Sequence, residues 1–173
     1  MEILILPVGG IGPDILKVIS DGLGKTFGCR PRIGKEIDLP ERSYNAERNQ
    51  YSSSKILGEL RALKRTPSEL LLGVVDVDIY VPELNFVFGE ADTFSGVVLI
   101  SLTRLRPEFY GRRSDRRLFQ ERALKEAIHE LGHAHGLDHC IKPDCIMYFS
   151  NSIDDTDGKG PGFCGLCKER LGI

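Results

Sequence analysis

The sequence predicts an α/β fold with a twisted mixed sheet of about five strands, one of them an antiparallel edge strand. Short apolar runs alternate with amphipathic stretches over the first part of the chain, the pattern of strands connected by crossover helices. Hydrophobic residues make up 41% of the 173 residues, enough for the core of one domain. The connection from Gly89 to Gly96 is too short for a helix and therefore indicates a hairpin.

Each element of this fold has its own signal in the sequence. Ile3-Leu4-Ile5-Leu6 indicates a buried strand near residues 3–8, and Pro13 suits the first turn of a helix near 13–25. The pattern continues with a helix near 53–65, a short helix near 165–171, and strands near 31–37, 70–77, 84–89 and 96–102. Crossover helices make the early strands parallel, whereas the hairpin makes the strand near 84–89 antiparallel and places it at an edge.

A longer helix is predicted to begin at Ser114 or Asp115, either of which can cap its amino terminus. Apolar residues recur there with helical spacing at Leu124, Ala127, Ile128 and Leu131. The same stripe continues to His135. We therefore predict that His135 faces the core and does not bind a metal.

All four histidines lie between His129 and His139, in the spacing H-E-x-x-H-x-x-G-x-x-H. Residues four apart share one face of a helix, so His129 and His133 can bind one ion, with Glu130 beside them as a base. Gly136 can end the helix in a left-handed conformation and turn the chain so that His139 becomes the third ligand. The spacing predicts a catalytic zinc site on this active-site helix.

Four of the five cysteines form two closely spaced pairs near the end of the chain, Cys140 with Cys145 and Cys164 with Cys167. Such C-x4-C and C-x2-C spacings are typical of a closed tetrahedral zinc site, since short loops let two thiolates bind one ion. Two disulfides, or buried thiols without a ligand, are the alternatives. Cys29 lies elsewhere and has no assigned role.

The run H-E-x-x-H-x-x-G-x-x-H-C-x4-C-x-M, followed after a gap by C-x-x-C, resembles the archaemetzincin family of metzincin zinc metalloproteases. The resemblance covers His129 to Cys167 and implies a metzincin-like fold, peptide substrates and two zinc ions, one catalytic and one structural. It implies Glu130 as general base, Met147 as the methionine of the Met-turn, and the zinc ligands His129, His133, His139, Cys140, Cys145, Cys164 and Cys167.

We expect one catalytic domain in two parts. Residues 1–136 form an N-terminal subdomain with the sheet and the active-site helix, and residues 137–173 form a small irregular C-terminal subdomain with the Met-turn and the cysteine site. Astacin-like and serralysin-like metzincins place a tyrosine two residues after the methionine, where this chain has Phe149. Tyr148 follows Met147 directly and is predicted to be a packing residue.

The predicted function is that of a zinc-dependent metallopeptidase acting on short peptides or N-termini. The first predicted strand begins at Glu2 or Ile3 and leaves no room for a pro-segment that would shield the zinc, so we expect a narrow cleft. The alternative is a zinc-stabilised peptide-binding module with little or no catalytic turnover. Glu130 favours the enzyme, because a binding scaffold has no need of a base beside two ligands.

Other features of the sequence exclude competing functions. A net charge of -2 gives no reason to expect nucleic acid or an anionic membrane as a partner. No apolar run could span a bilayer and no signal peptide is present, so we expect a cytoplasmic protein. The stretch Gly9–Gly12 predicts a strand-to-helix turn, residues 154–158 a mobile acidic loop, and the arginines of residues 112–117 a solvated helix entrance.

Overall fold

A five-stranded mixed sheet forms the centre of the fold in the computed structural model, which describes residues 1–173. Along the chain the strands are β1 (Glu2–Val8), β2 (Arg32–Ile33), β3 (Tyr44–Asn45), β4 (Gln50–Ser52), β5 (Glu69–Val75), β6 (Ile79–Tyr80), β7 (Gly89–Asp92) and β8 (Val97–Ser101). The helices are α1 (Pro13–Phe27), α2 (Ser53–Ala62), α3 (Arg116–Ala134), α4 (Ile153–Gly158) and α5 (Gly165–Leu171). The central sheet has the order β2-β1-β5-β8-β7, and only β7 is antiparallel.

The three inner strands β1, β5 and β8 are apolar along almost their whole length because both faces of the sheet are covered. Alternate residues point to opposite faces, so Ile3 and Ile5 pack towards α1 and α3, whereas Leu4 and Leu6 pack towards α2. Helices α1 and α3 approach closely, since a side-chain carbon added at Gly22 would lie only 2.4 Å from Leu124. The predicted α/β class is confirmed.

The antiparallel edge strand is confirmed, but it lies further along the chain than the sequence suggests. We predicted it near residues 84–89, whereas β7 begins at Gly89 and pairs with β8 from Gly89 opposite Ile100 to Asp92 opposite Val97. The apolar residues before Gly89 imitate a strand, but Phe88 is buried in the core cluster and Val87 makes only an isolated bridge to Ile79. An edge strand needs no continuous apolar pattern, so polar residues such as Glu90 gave no signal of a strand in the sequence.

Three further details differ from the predictions. The strand expected near 31–37 is reduced to Arg32–Ile33, with one isolated bridge at Ile37. A second sheet, of order β3-β4-β6, was not predicted because its strands have only two or three residues each. The acidic stretch expected to be a mobile loop is instead helix α4. Ser152 and Asp155 form a capping box at its start, a local signal that outweighs the acidic composition.

The arginines around the start of α3 make exposed ion pairs, namely Arg112 with Asp154, Arg116 with Asp14 and Arg117 with Glu121. They agree with a solvated helix entrance. None of the five helices is long and apolar enough to cross a membrane.

Candidate active site

Helix α3 supplies two of the histidines and the glutamate from one surface. Its N-cap is Asp115, whose carboxylate accepts a hydrogen bond from the amide of Leu118 at 2.9 Å. His129 and His133 lie one turn apart near its end, and their Nε2 atoms are 3.1 Å from each other. The helical spacing in the sequence is therefore realised as two imidazoles that point at the same position.

The third histidine reaches this position because the chain turns sharply after α3. Gly136 has a φ of +82°, a left-handed conformation that side chains rarely adopt. The amide of Leu137 donates to the carbonyl of Gly132 at 3.1 Å, which closes the turn. A ring nitrogen of His139 then lies within 4.8 Å of those of His129 and His133. The structure thus brings together the three histidines that the motif singles out.

Backbone carbonyls fix the orientation of two of these rings. His129 Nδ1 lies 2.8 Å from the carbonyl oxygen of Ile146, and His133 Nδ1 lies 2.7 Å from that of Leu137. Each Nδ1 donates its hydrogen there, which leaves the Nε2 lone pair free for a metal. Burial is the main cause that lowers the pKa of His129 to about 2, so this ring is neutral, as a ligand must be.

The three imidazoles meet the geometric requirements of zinc. Bonds of about 2.0–2.1 Å to a tetrahedral ion place two nitrogen ligands about 3.3 Å apart, close to the 3.1 Å between the Nε2 atoms of His129 and His133. Three neutral imidazoles are a common ligand set of catalytic zinc, which also needs an open position. The side chain of His139 is exposed, so the site faces the solvent. The residues fit the ion.

Glu130 lies on the same helix and is only 5% exposed. Its side chain packs against the backbone of Gly89 at the start of β7, where an added side-chain carbon would lie 2.7 Å from Glu130 Oε1. Burial, with a further contribution from the neighbouring Glu126 carboxyl, raises the pKa of Glu130 well above its usual range. A carboxyl group with a raised pKa beside a metal position is suited to accept and return a proton.

A cleft of about 510 Å³ runs between α3 and the edge of the central sheet. One wall consists of residues 84–91, including most of β7, and the opposite wall includes residues 149–151. Phe149 packs edge-on against His139, with 4.8 Å between the ring centroids. The three histidines and Glu130 line the cleft, so a bound extended chain would pass over them.

Two further charged residues, Glu126 and Lys159, also line this cleft, and sequence reasoning missed both. Both are buried, and Lys159 Nζ lies 3.4 Å from His129 Nδ1. Glu126 had a signal that could have been used, because it lies four residues before Glu130 and hence on the same face of α3. Lys159 had none, since it follows α4 and reaches the cleft only through tertiary packing.

The four paired cysteines converge on a second position. Cys140 Sγ is 3.8 Å from Cys164 Sγ, and Cys145 Sγ is 3.7 Å from Cys167 Sγ. Zinc–sulfur bonds of about 2.3 Å in a tetrahedron require sulfurs about 3.8 Å apart, whereas a disulfide requires about 2.0 Å. All five cysteines are free thiols in this structure. The tetrad fits a zinc ion, and the two disulfides considered from the sequence do not form.

Met147, the expected methionine of the Met-turn, is fully buried beneath the histidines. A side-chain carbon added at Gly132 would lie 2.4 Å from its sulfur, so it packs directly on the helix turn between His129 and His133. His135 is absent from the histidine cluster and stacks on Phe27, with 5.7 Å between centroids. Its position agrees with the packing role that the helical phase predicts.

Comparison with known proteins identifies relatives along nearly the whole chain. The model of peptidase family M54 matches residues 23–172. The archaemetzincin of Methanocaldococcus jannaschii is 47% identical over 171 residues, which cover 99% of this chain and 93% of that protein. The crystal structure of archaemetzincin from Archaeoglobus fulgidus, complexed with malonate, has a TM-score of 0.85 at 36% identity and covers 98% of this chain and 99% of that one.

A zinc-dependent peptidase structure from Methanocorpusculum labreanum has a TM-score of 0.90 at 30% identity, covering 98% of this chain and 99% of that one. Together with the histidine and cysteine clusters, these matches define a metallopeptidase that uses zinc. The chain belongs to peptidase family M54, the archaemetzincins. The resemblance inferred from the histidine and cysteine motif is confirmed.

Proposed function

We propose that this chain hydrolyses peptide bonds at the three-histidine position, with His129, His133 and His139 as zinc ligands and Glu130 as general base. The observation that carries this proposal is the placement of buried Glu130 in the cleft, directly beside the converging imidazoles. Zinc held by these three histidines would act as a Lewis acid and would lower the pKa of water. Glu130 then accepts a proton from the attacking water and returns it to the leaving nitrogen.

The substrate would bind as an added strand on β7. This strand is the antiparallel edge of the central sheet, and residues 89–91 face the cleft. An extended peptide paired with it would run past Glu130, which touches the backbone of Gly89. A cleft of about 510 Å³ suits a few residues, which supports short peptides or N-termini as substrates. A peptide-binding module without turnover would leave the buried base unexplained.

The decisive experiment compares Glu130→Gln with the wild type on a peptide library. We expect turnover to fall by about two to four orders of magnitude while the zinc content is unchanged, because the amide keeps the shape but accepts no proton. Glu121→Gln is the matched control, since Glu121 lies on the solvent side of the same helix. Equal turnover by Glu130→Gln and the wild type contradicts the mechanism, and no turnover by either favours the binding module.

We further infer a second, structural zinc bound by Cys140, Cys145, Cys164 and Cys167 that holds the histidine site in shape. Cys140 follows His139 directly, and its amide donates to the carbonyl of Met147 at 2.8 Å. Cys145 precedes Ile146, whose carbonyl accepts the hydrogen bond from His129. One ion would therefore fix both the third ligand and the orientation of the first.

The coupling can be measured with the double substitution Cys164→Ser and Cys167→Ser. We expect weaker zinc binding at the histidine site by about 10- to 100-fold, measured by competition with a chelator. Cys29→Ser is the control, because Cys29 lies outside both clusters. If the folded double variant binds zinc at the histidine site with unchanged affinity, the proposed coupling between the two sites is wrong.

A further inference from the structure

We propose that Lys159 recognises a substrate carboxylate within about one residue of the scissile bond, so that the preferred substrates are peptides carrying a C-terminal carboxylate or an acidic side chain there. This inference rests on the proposed peptidase function. It concerns a residue outside the zinc-binding motif. The observations that carry it are the burial of Lys159, its lack of an acceptor and the way the fold holds it.

Lys159 is only 2% exposed, yet its side chain forms part of the cleft wall. The only atom within hydrogen-bonding distance of its Nζ is His129 Nδ1, at 3.4 Å. That nitrogen gives its own hydrogen to the carbonyl of Ile146 and has no lone pair left to accept another. The ammonium therefore has no acceptor in the protein, although three are needed to satisfy it.

No salt bridge in the structure includes Lys159. Glu126 and Glu130 line the same cleft, but neither brings a carboxylate oxygen within 4.0 Å of Nζ. A lysine that served only to neutralise these glutamates would be expected in direct contact with one of them, because a buried charge without a partner is costly. An anion from a bound ligand would supply the counter-charge that the Lys159 ammonium lacks.

The fold holds Lys159 in place through α3. Arg122, 1% exposed, forms a two-point ion pair with Asp157, at 2.7 and 2.6 Å. Lys125 Nζ donates to the backbone carbonyls of Thr156, Asp157 and Lys159 at 2.9, 3.0 and 2.6 Å. These contacts fasten the end of α4 to the helix that carries the histidines. An ordinary surface lysine has no need of such support.

The charges of the cleft point to the same ligand. Glu126, Glu130 and the half-buried Glu90 line the cleft, so with zinc bound by neutral imidazoles the two positive charges of the ion and one of Lys159 face three carboxyl groups. None of the three brings an oxygen within 4.0 Å of the Lys159 ammonium, so it is this buried ammonium that lacks an anion, and not the cleft as a whole. Carboxylates are the anions that a peptide offers, and the ammonium lies one imidazole ring away from the metal position.

The first test measures binding without turnover, by calorimetry with zinc-loaded Glu130→Gln protein. The probes are two matched pairs: Ala-Ala-Ala as free acid and as amide, and the amides of Ala-Asp-Ala and Ala-Asn-Ala. We expect at least one acid to bind about 10- to 100-fold more tightly than its neutral partner. A preference in the first pair identifies the terminal carboxylate, and one in the second identifies the acidic side chain. Equal binding within both pairs overturns the proposal.

The second test assigns the preference to Lys159. Adding Lys159→Met to the Glu130→Gln protein should abolish the preference for the acid. If the methionine variant fails to fold, Lys159→Gln replaces it with a neutral polar side chain and should have the same effect. Lys168→Met removes an exposed lysine and should leave the preference intact. A preference that survives both neutral substitutions overturns the proposal. In the wild type the same preference should appear in KM more than in kcat. Absence of all turnover would refute the peptidase function, and the calorimetric result would then decide carboxylate recognition by itself.

Discussion

Replacing Gly89 by alanine should impair catalysis without unfolding the protein. The new side-chain carbon would lie 2.7 Å from both Cγ and Oε1 of Glu130, about 0.7 Å short of the 3.4 Å at which ordinary van der Waals contact begins. The backbone at Gly89 cannot easily give way, because Gly89 pairs with Ile100 and the adjacent carbonyl of Phe88 accepts from Ser101 at 2.8 Å. Glu130 must therefore move.

A displacement of this size at a general base can cost about 10- to 100-fold in turnover. We expect kcat of Gly89→Ala to fall by this factor, with an unchanged zinc content and a change of less than about 1 kcal/mol in the free energy of unfolding. The control is Gly58→Ala in α2, where an added carbon meets nothing within 4 Å and helix propensity should add about 0.5–1 kcal/mol of stability. Wild-type kcat in Gly89→Ala would refute this account of how Glu130 is placed.

Two further predictions concern stability. Asp157→Asn leaves Arg122 buried without its counter-charge. Because the Asp157 side chain is itself 28% exposed, we expect the free energy of unfolding to fall by about 2–3 kcal/mol in chemical denaturation, less than for a fully buried pair. A fall of less than about 1 kcal/mol would contradict this prediction. In zinc-free protein, burial lowers the pKa of His129 to about 2, below the ordinary 6.5, so below pH 6.5 the unfolded chain binds a proton that the folded chain does not. His129 alone should then contribute a fall in stability of about 1.4 kcal/mol per pH unit from pH 6.5 towards 2, and a slope in His129→Asn equal to that of the wild type would contradict this assignment.

The sequence predicted the convergence of the three histidines because a helix and one glycine turn determine it locally. His129 and His133 need only the helical repeat, and Gly136 needs only its freedom at positive φ. The buried strands were equally predictable, since strands covered on both faces are apolar throughout. The start of β7 was misplaced because an edge strand has no such pattern.

Lys159 illustrates what the sequence could not predict. Its place beside His129 depends on the contacts of Arg122 and Lys125 with α4, which join residues more than thirty positions apart. Nothing within a short window of sequence encodes such a contact. The acidic composition around α4 even suggested a loop, although the capping box of Ser152 and Asp155 was present in the sequence.

The edge strand β7 has a consequence for the behaviour of the protein at high concentration. A strand open enough to accept a peptide can also pair with the same strand of another molecule, which is a common start of aggregation. Two of its four residues are acidic, Glu90 and Asp92, so two copies brought side by side would repel each other. Its short length and negative charge thus allow β7 to hold a single peptide strand while opposing the growth of an intermolecular sheet.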